Sequence, residues 1–159
     1  MTKLFPALLL PLALAACATV APPETPAGPD FLARNAAARN VVTTPSGLQY
    51  YVVKSGPATG PHPKDGDTVT FHYEGKLTTG EVFDSSIARN EPLEGEVGAF
   101  VPGFTEALKL MRPGDEWIVW IPPALGYGDK QSGPIPPNSV LRFRLMLIKV
   151  TPATSATPG

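Results

Sequence analysis

The chain has 159 residues, of which 43% are hydrophobic and 17% charged, and a formal net charge of −1 at pH 7. That length holds one globular domain with a real core and excludes a two-domain enzyme. The near-neutral charge argues against a nucleic-acid partner held by a basic surface, and the single cysteine, Cys17, cannot form an internal disulfide.

The chain starts MTKLFPALLLPLALAAC: one lysine, Lys3, then an apolar run from Leu4 to Ala16 interrupted by Pro6 and Pro11. The run fits a signal-peptide core and is too short to span a bilayer as a helix. Residues 1–16 are therefore expected to be a lipoprotein signal peptide that is removed. Leu14-Ala15-Ala16-Cys17 resembles the bacterial lipobox, in which the cysteine becomes the lipidated first residue of the mature chain. Ordinary secretion, with cleavage after Ala15 or Ala18, is the alternative. The only cysteine stands where the lipobox requires one, which favours acylation. It implies an extracytoplasmic protein, lipid-anchored through Cys17 on the periplasmic side of a bacterial membrane, the outer membrane being expected.

Residues 17–29, rich in Pro and Ala, cannot bury a core and read as an extended tether. DFLARNAAARN follows, and a short N-terminal helix is expected over 30–42, with Asp30 as N-cap and little apolar surface of its own. From Thr43 the hydrophobic period becomes two. GLQYYVVKSG is a strand candidate, and in DTVTFHYEGKL the side chains of Val69, Phe71 and Tyr73 share one face. FTEALKLM places Phe104, Ala107, Leu108 and Met111 at helical spacing, ended by Pro113-Gly114. DEWIVWIPP and SVLRFRLMLIKV read as further strands, and 151–159 as a disordered tail. The pattern predicts an α+β domain over 43–150, a mainly antiparallel twisted sheet of about five strands around one short helix.

The chemistry-bearing residues are few. There is no Gly-x-Ser-x-Gly and no phosphate-cradling glycine loop. His62 lies in a Pro-rich loop and His72 alternates away from Phe71 and Tyr73, so neither a metal site nor a cofactor is expected. The stretch FHYEGKLTTGEVFDSS sets a carboxylate, Asp84, beside Phe83 with no obvious partner charge, which marks either a structural hydrogen-bond hub or a site. Phe71, Tyr73, Phe83, Phe100, Phe104, Trp117, Tyr127 and Phe143 lie on or beside the core elements, and composition alone does not separate a pocket from a filled core.

Three motifs do separate them. VTFHYEGKLTTGEVFDSS, GAFVPGFTEALKLMRPGDEWIVWIPPALGYG and IPPNSVLRFRLMLIKV resemble, in order and nearly in spacing, the FKBP family of peptidyl-prolyl cis–trans isomerases over about residues 43–150. The resemblance implies an apolar pocket between sheet and helix. It puts Tyr73, Phe83 and Asp84 on one wall, Phe100 and Val101 on another, and Phe104 on the floor. Tyr127 and Ile135 would come from the loop after Trp120, and Phe143 from the last strand. Asp84 and Tyr127 are the implied catalytic residues, with the Tyr127 hydroxyl and the Ile135 backbone N–H reaching ligand carbonyls. Leu93, implied as a substrate contact, stands where the family often has an aromatic, Phe104 where it often has Trp, and the lid loop DKQSGP is slightly short. Phe83 and Asp84, consecutive yet both facing the pocket, require a local break in strand alternation.

The resemblance further implies proline-containing unfolded or exported polypeptides as substrates and the family's macrolide inhibitors as ligands. A peptide-binding chaperone with the same fold and little turnover is the alternative. A monomer is expected, because no long helical arm is apparent.

Overall fold

The computed structural model describes residues 29–154. Their order is α1 (Pro29–Ala36), β1 (Val42–Thr43), β2 (Gln49–Lys54), β3 (Thr68–Leu77), β4 (Val82–Ser85), α2 (Ser86–Arg89), β5 (Leu93–Glu96), α3 (Pro102–Leu110), β6 (Glu116–Ile121) and β7 (Leu141–Thr151). The signal peptide, Cys17 and nearly all of the 17–29 tether lie outside the described residues.

Strict alternation makes β3 the centre of the sheet: Val69, Phe71, Tyr73, Gly75 and Leu77 are buried while their neighbours are half-exposed. Leu141, Phe143, Leu145 and Leu147 of β7 and Trp117, Val119 and Ile121 of β6 continue the same apolar face. The strands run in the order β1-β2-β6-β7-β3-β4, with β5 also paired to β3, and every pairing is antiparallel. Helix α3 lays Phe104, Ala107 and Leu108 on this face, with Met111 just beyond, and all four are buried. The α+β class and the wrapped antiparallel sheet are thus as expected.

The described residues form seven strands rather than about five. The two unexpected strands are β1, of two residues, and β5, of four, too short to show a period. Strands β4 and β5 lie end to end on one edge of β3, β4 against residues 74–76 and β5 against 68–71, with α2 between them. That split edge borders the site.

Helix α1 ends at Ala36 instead of reaching residue 42, and Asp30 sits inside its first turn rather than capping it. Asn40 at φ 65° and strand β1 take up the remainder. The helix has little apolar surface and is held by a polar clasp. Buried Gln49 accepts from Asn35 Nδ2 and donates to the Leu32 carbonyl, both at 2.8 Å. At the other end, β7 runs to Thr151, and the Ala153 N–H donates to Asp67 Oδ1 at 3.0 Å. The start of the expected tail is therefore pinned, and its last residues, 155–159, lie outside the described residues.

Candidate functional site

The concave face of the sheet leaves room near the start of α3 for a cavity of about 540 Å³. Its inner surface is a lattice of rings. Phe104 stands edge-on to Phe143 at 5.0 Å, Phe143 edge-on to Phe83 at 5.5 Å, and Phe100 packs on Phe104 at 5.1 Å. These offset and edge contacts are the arrangements aromatic quadrupoles favour, so the wall is preformed. All ten residues that the sequence placed at a pocket line this one: Tyr73, Phe104, Ile135 and Phe143 are buried, and Phe83, Phe100 and Val101 half-buried. Asp84, Leu93 and Tyr127 stand exposed at the rim.

The break in strand alternation lies where it was required. Across β3, Gly75 pairs with Asp84 and Lys76 with Val82, so Phe83 is the extra residue of a bulge. Its ring can then turn inward beside Asp84. Gly75 makes this possible: a Cβ there would meet the Phe83 ring at 2.5 Å and Phe143 Cε1 at 2.8 Å. Gly95 plays the same part in β5, where a Cβ would meet Phe100 Cζ at 2.7 Å.

Asp84 has a partner charge that the sequence did not disclose. Arg89, from the single turn of α2, donates from Nη1 to Asp84 Oδ1 at 2.6 Å and from Nη2 to Tyr73 Oη at 3.1 Å. The Tyr73 hydroxyl donates to Asp84 Oδ2 at 2.5 Å. The signal that could have found this turn is local: Ser85 caps α2 by accepting from the Ala88 N–H at 3.1 Å. Partial burial pushes the Asp84 carboxyl up, but the Tyr73 hydroxyl and Arg89 outweigh it and hold it below its ordinary 3.8. Burial and the bond to Asp84 raise Tyr73 above its ordinary 10.0. The hydrogen bonds to Asp84 and then Tyr73 raise Arg89 above its ordinary value. The depressed Asp84 stabilises the fold above its unfolded value and loses that effect as pH falls through the folded one. The raised Tyr73 keeps its contribution below pH 10.0 and loses it as pH rises through its folded value. Neither window reaches neutrality.

Two implied contacts differ from expectation. Asp84 is a rim group, its side chain 45% exposed, because α2 holds it from outside rather than the core enclosing it. The Ile135 N–H, implied to meet a ligand carbonyl, donates to the Ser132 carbonyl at 2.9 Å within the turn 132–135, while Ile135 itself lines the cavity. That turn also brings Ser132, Gly133 and Pro134, the end of the expected lid loop, to the lining, and Ala99 joins them; none of the four was singled out as a contact, because loop residues carry no sequence period. The Tyr127 hydroxyl makes no hydrogen bond to another described residue. His72 lies outside the cavity, its Nδ1 3.1 Å from Ser86 Oγ.

A ring-lined cavity with a few polar groups at its rim, set in an antiparallel α+β domain, has the general form of a binding site for a small molecule or a peptide. Residues 60–148 match the family described as FKBP-type peptidyl-prolyl cis–trans isomerase, and residues 15–52 match the domain amino-terminal to it. The chain belongs to the FKBP-type peptidyl-prolyl cis–trans isomerase family. It is 43% identical over 127 residues to the outer membrane protein MIP of Legionella longbeachae, covering 79% of this chain and 54% of that protein. It is 44% identical over 124 residues to the FKBP-type 22 kDa peptidyl-prolyl cis–trans isomerase of Escherichia coli (strain K12), covering 77% and 59%. The chain thus spans about half the length of the curated relatives it matches. Among solved structures, FkpA from Escherichia coli superposes with a TM-score of 0.74 at 41% identity over 78% of this chain and 57% of that one. A peptidyl-prolyl cis–trans isomerase from Pseudomonas syringae pv. tomato gives 0.71 at 31% identity, over 77% and 90%.

Proposed function

We propose that the protein accelerates rotation about Xaa-Pro bonds in exported polypeptides by holding the proline in this cavity. The observation that carries the proposal is the wall of Phe83, Phe100, Phe104 and Phe143 rings around a preformed volume. An Xaa-Pro amide resists rotation because resonance gives its C–N bond double-bond character, a barrier of about 18–20 kcal/mol. The planar amide is more polar than the twisted one. An apolar, water-poor cavity therefore disfavours the ground state relative to the transition state, provided other contacts hold the peptide. No proton has to move. The rings suit the pyrrolidine, and the free Tyr127 hydroxyl fixes a neighbouring carbonyl. Asp84, held by Arg89 and Tyr73, sets a fixed negative charge at the rim. Macrolides of the kind that inhibit the family would compete for the same rings.

A proline-isomerisation assay on residues 30–159, with tetrapeptides differing in the residue before proline, tests the proposal. Acceleration over buffer is expected. Binding of the peptides with no acceleration would instead favour a chaperone that uses the same cavity. Asp84→Asn and Tyr127→Phe are nearly isosteric, and Asp84 is an exposed ion-pair member worth at most about 1 kcal/mol. Each is expected to lower kcat/KM several-fold while leaving the melting temperature nearly unchanged. Wild-type turnover in both, or unfolding in both, would contradict these roles.

The sequence match at Leu14–Cys17 and the likeness to a protein named for the outer membrane support an extracytoplasmic, lipid-anchored protein. Cys17→Ser is expected to release the protein from membranes and to abolish labelling by a fatty-acid probe. Unchanged membrane fractionation would contradict the anchor.

A further inference from the structure

A second groove of about 510 Å³ shares a wall with the proline cavity. It lies between the turn holding Gly98 and Phe100 and the outward stripe of α3, formed by Pro102, Thr105, Glu106, Lys109 and Leu110. Phe100 lines both spaces. The two charged side chains lining the groove are already engaged by the protein. Glu106 accepts from Thr44 Oγ1 at 2.8 Å and Ser46 Oγ at 2.6 Å, and Lys109 Nζ lies 2.8 Å from Asp65. What remains for a ligand is the apolar surface of Phe100, Pro102 and Leu110, and Leu110 is 38% exposed where a helix end could have buried it.

We infer that this groove is a subsite for the same substrate chain, taking an uncharged apolar side chain from a residue flanking the proline. The inference rests on the isomerase proposal above. A chain whose proline sits against one part of Phe100 has to leave the cavity over its rim, and the shared ring makes the two spaces neighbours. An extended chain advances about 3.3–3.6 Å per residue, so a space adjoining the cavity is reached by a residue a few positions from the proline. The Thr44 and Ser46 hydroxyls take up both Glu106 oxygens and Asp65 takes up Lys109, so the surface left facing a ligand is apolar and suits an uncharged side chain. The groove would thus favour unfolded clients with apolar residues near proline over short peptides that cannot reach it.

The test uses the purified full chain, one short tetrapeptide, and decapeptides with a central proline. These carry a single Leu, or Ser as control, stepped from the second to the fourth residue on either side. One Leu position is expected to raise both affinity, read by fluorescence anisotropy, and kcat/KM by about fivefold or more over its Ser control. Leu110→Gln and, independently, Thr105→Arg are expected to abolish that gain while leaving the rate on the tetrapeptide within about twofold; neither residue lines the proline cavity. No Leu-dependent gain at any position, or a gain that survives in both folded variants, overturns the subsite. A wild-type mass of a dimer that becomes monomeric in Leu110→Gln also overturns it, since a second copy would then be the occupant. Leu-dependent binding that Leu110→Gln removes, with no turnover of any peptide, overturns the isomerase proposal and upholds the groove.

Discussion

Phe143→Ala is expected to lose about 3–5 kcal/mol of folding stability and most of its affinity for a proline peptide. The ring is 7% exposed and is the hub of the wall, touching Phe83, Phe104 and Tyr73 at centroid distances of 5.5, 5.0 and 6.5 Å. Aromatic pairs of this kind add about 0.5–1.5 kcal/mol beyond the area they bury. Removing the ring also joins the space it filled to the cavity, so Phe83 loses the edge that fixes its orientation. Urea unfolding and peptide titration measure the two effects separately. A loss below about 1 kcal/mol with full peptide affinity would show that the ring neither holds the fold nor shapes the site.

Gly75→Ala is the second large effect, and it acts in the opposite sense, by overfilling. A methyl group placed 2.5 Å from the Phe83 ring and 2.8 Å from Phe143 has to displace one of them. Gly75 lies in the middle of β3, paired to β4 on one side and β7 on the other, so the backbone cannot easily retreat. The rings must tilt into the cavity. Such overpacking costs about 1–3 kcal/mol. The fall in kcat/KM is expected to exceed about tenfold, because bound geometry rather than binding area limits the rate. A folded Gly75→Ala protein with wild-type turnover would mean that the Phe83 and Phe143 rings do not shape the reacting volume.

How much of this was legible in the sequence follows from how local each signal is. The alternation of Val69, Phe71 and Tyr73, and the helical spacing of Phe104, Ala107 and Leu108, are one-element patterns, and they delivered the sheet face and the helix that cover each other. The pocket-lining set came from the order of three motifs resembling one family, since no period distinguishes Phe143 as a pocket wall from Leu145 as core. Strands β1 and β5 escaped because two or four residues cannot display a period. Arg89 escaped for a different reason. Its role depends on a single helical turn that reverses the chain after the bulge at Phe83, and charge pairing across such a turn is a tertiary fact. The engagement of the Ile135 N–H by Ser132 likewise depends on a tight turn whose closure the sequence SGPI does not fix.

The central claim is that an aromatic cavity rotates the Xaa-Pro bond by desolvation and orientation, with no proton transferred. Exchange NMR of an Ala-Pro tetrapeptide, followed between about pH 6 and 8.5 in water and in deuterium oxide, tests it most directly. The groups of the site that are shifted move away from neutrality: Asp84 below 3.8, Tyr73 above 10.0 and Arg89 further above its ordinary value. Acid–base catalysts show a group titrating near the working pH as a bell or a step in rate. The expected result is cis–trans exchange well above that in buffer, flat across the range, and changed less than about twofold by deuterium or by His72→Ala. Exchange no faster than in buffer would contradict the claim, as would a step near the ordinary histidine value of about 6.5 that His72→Ala removes.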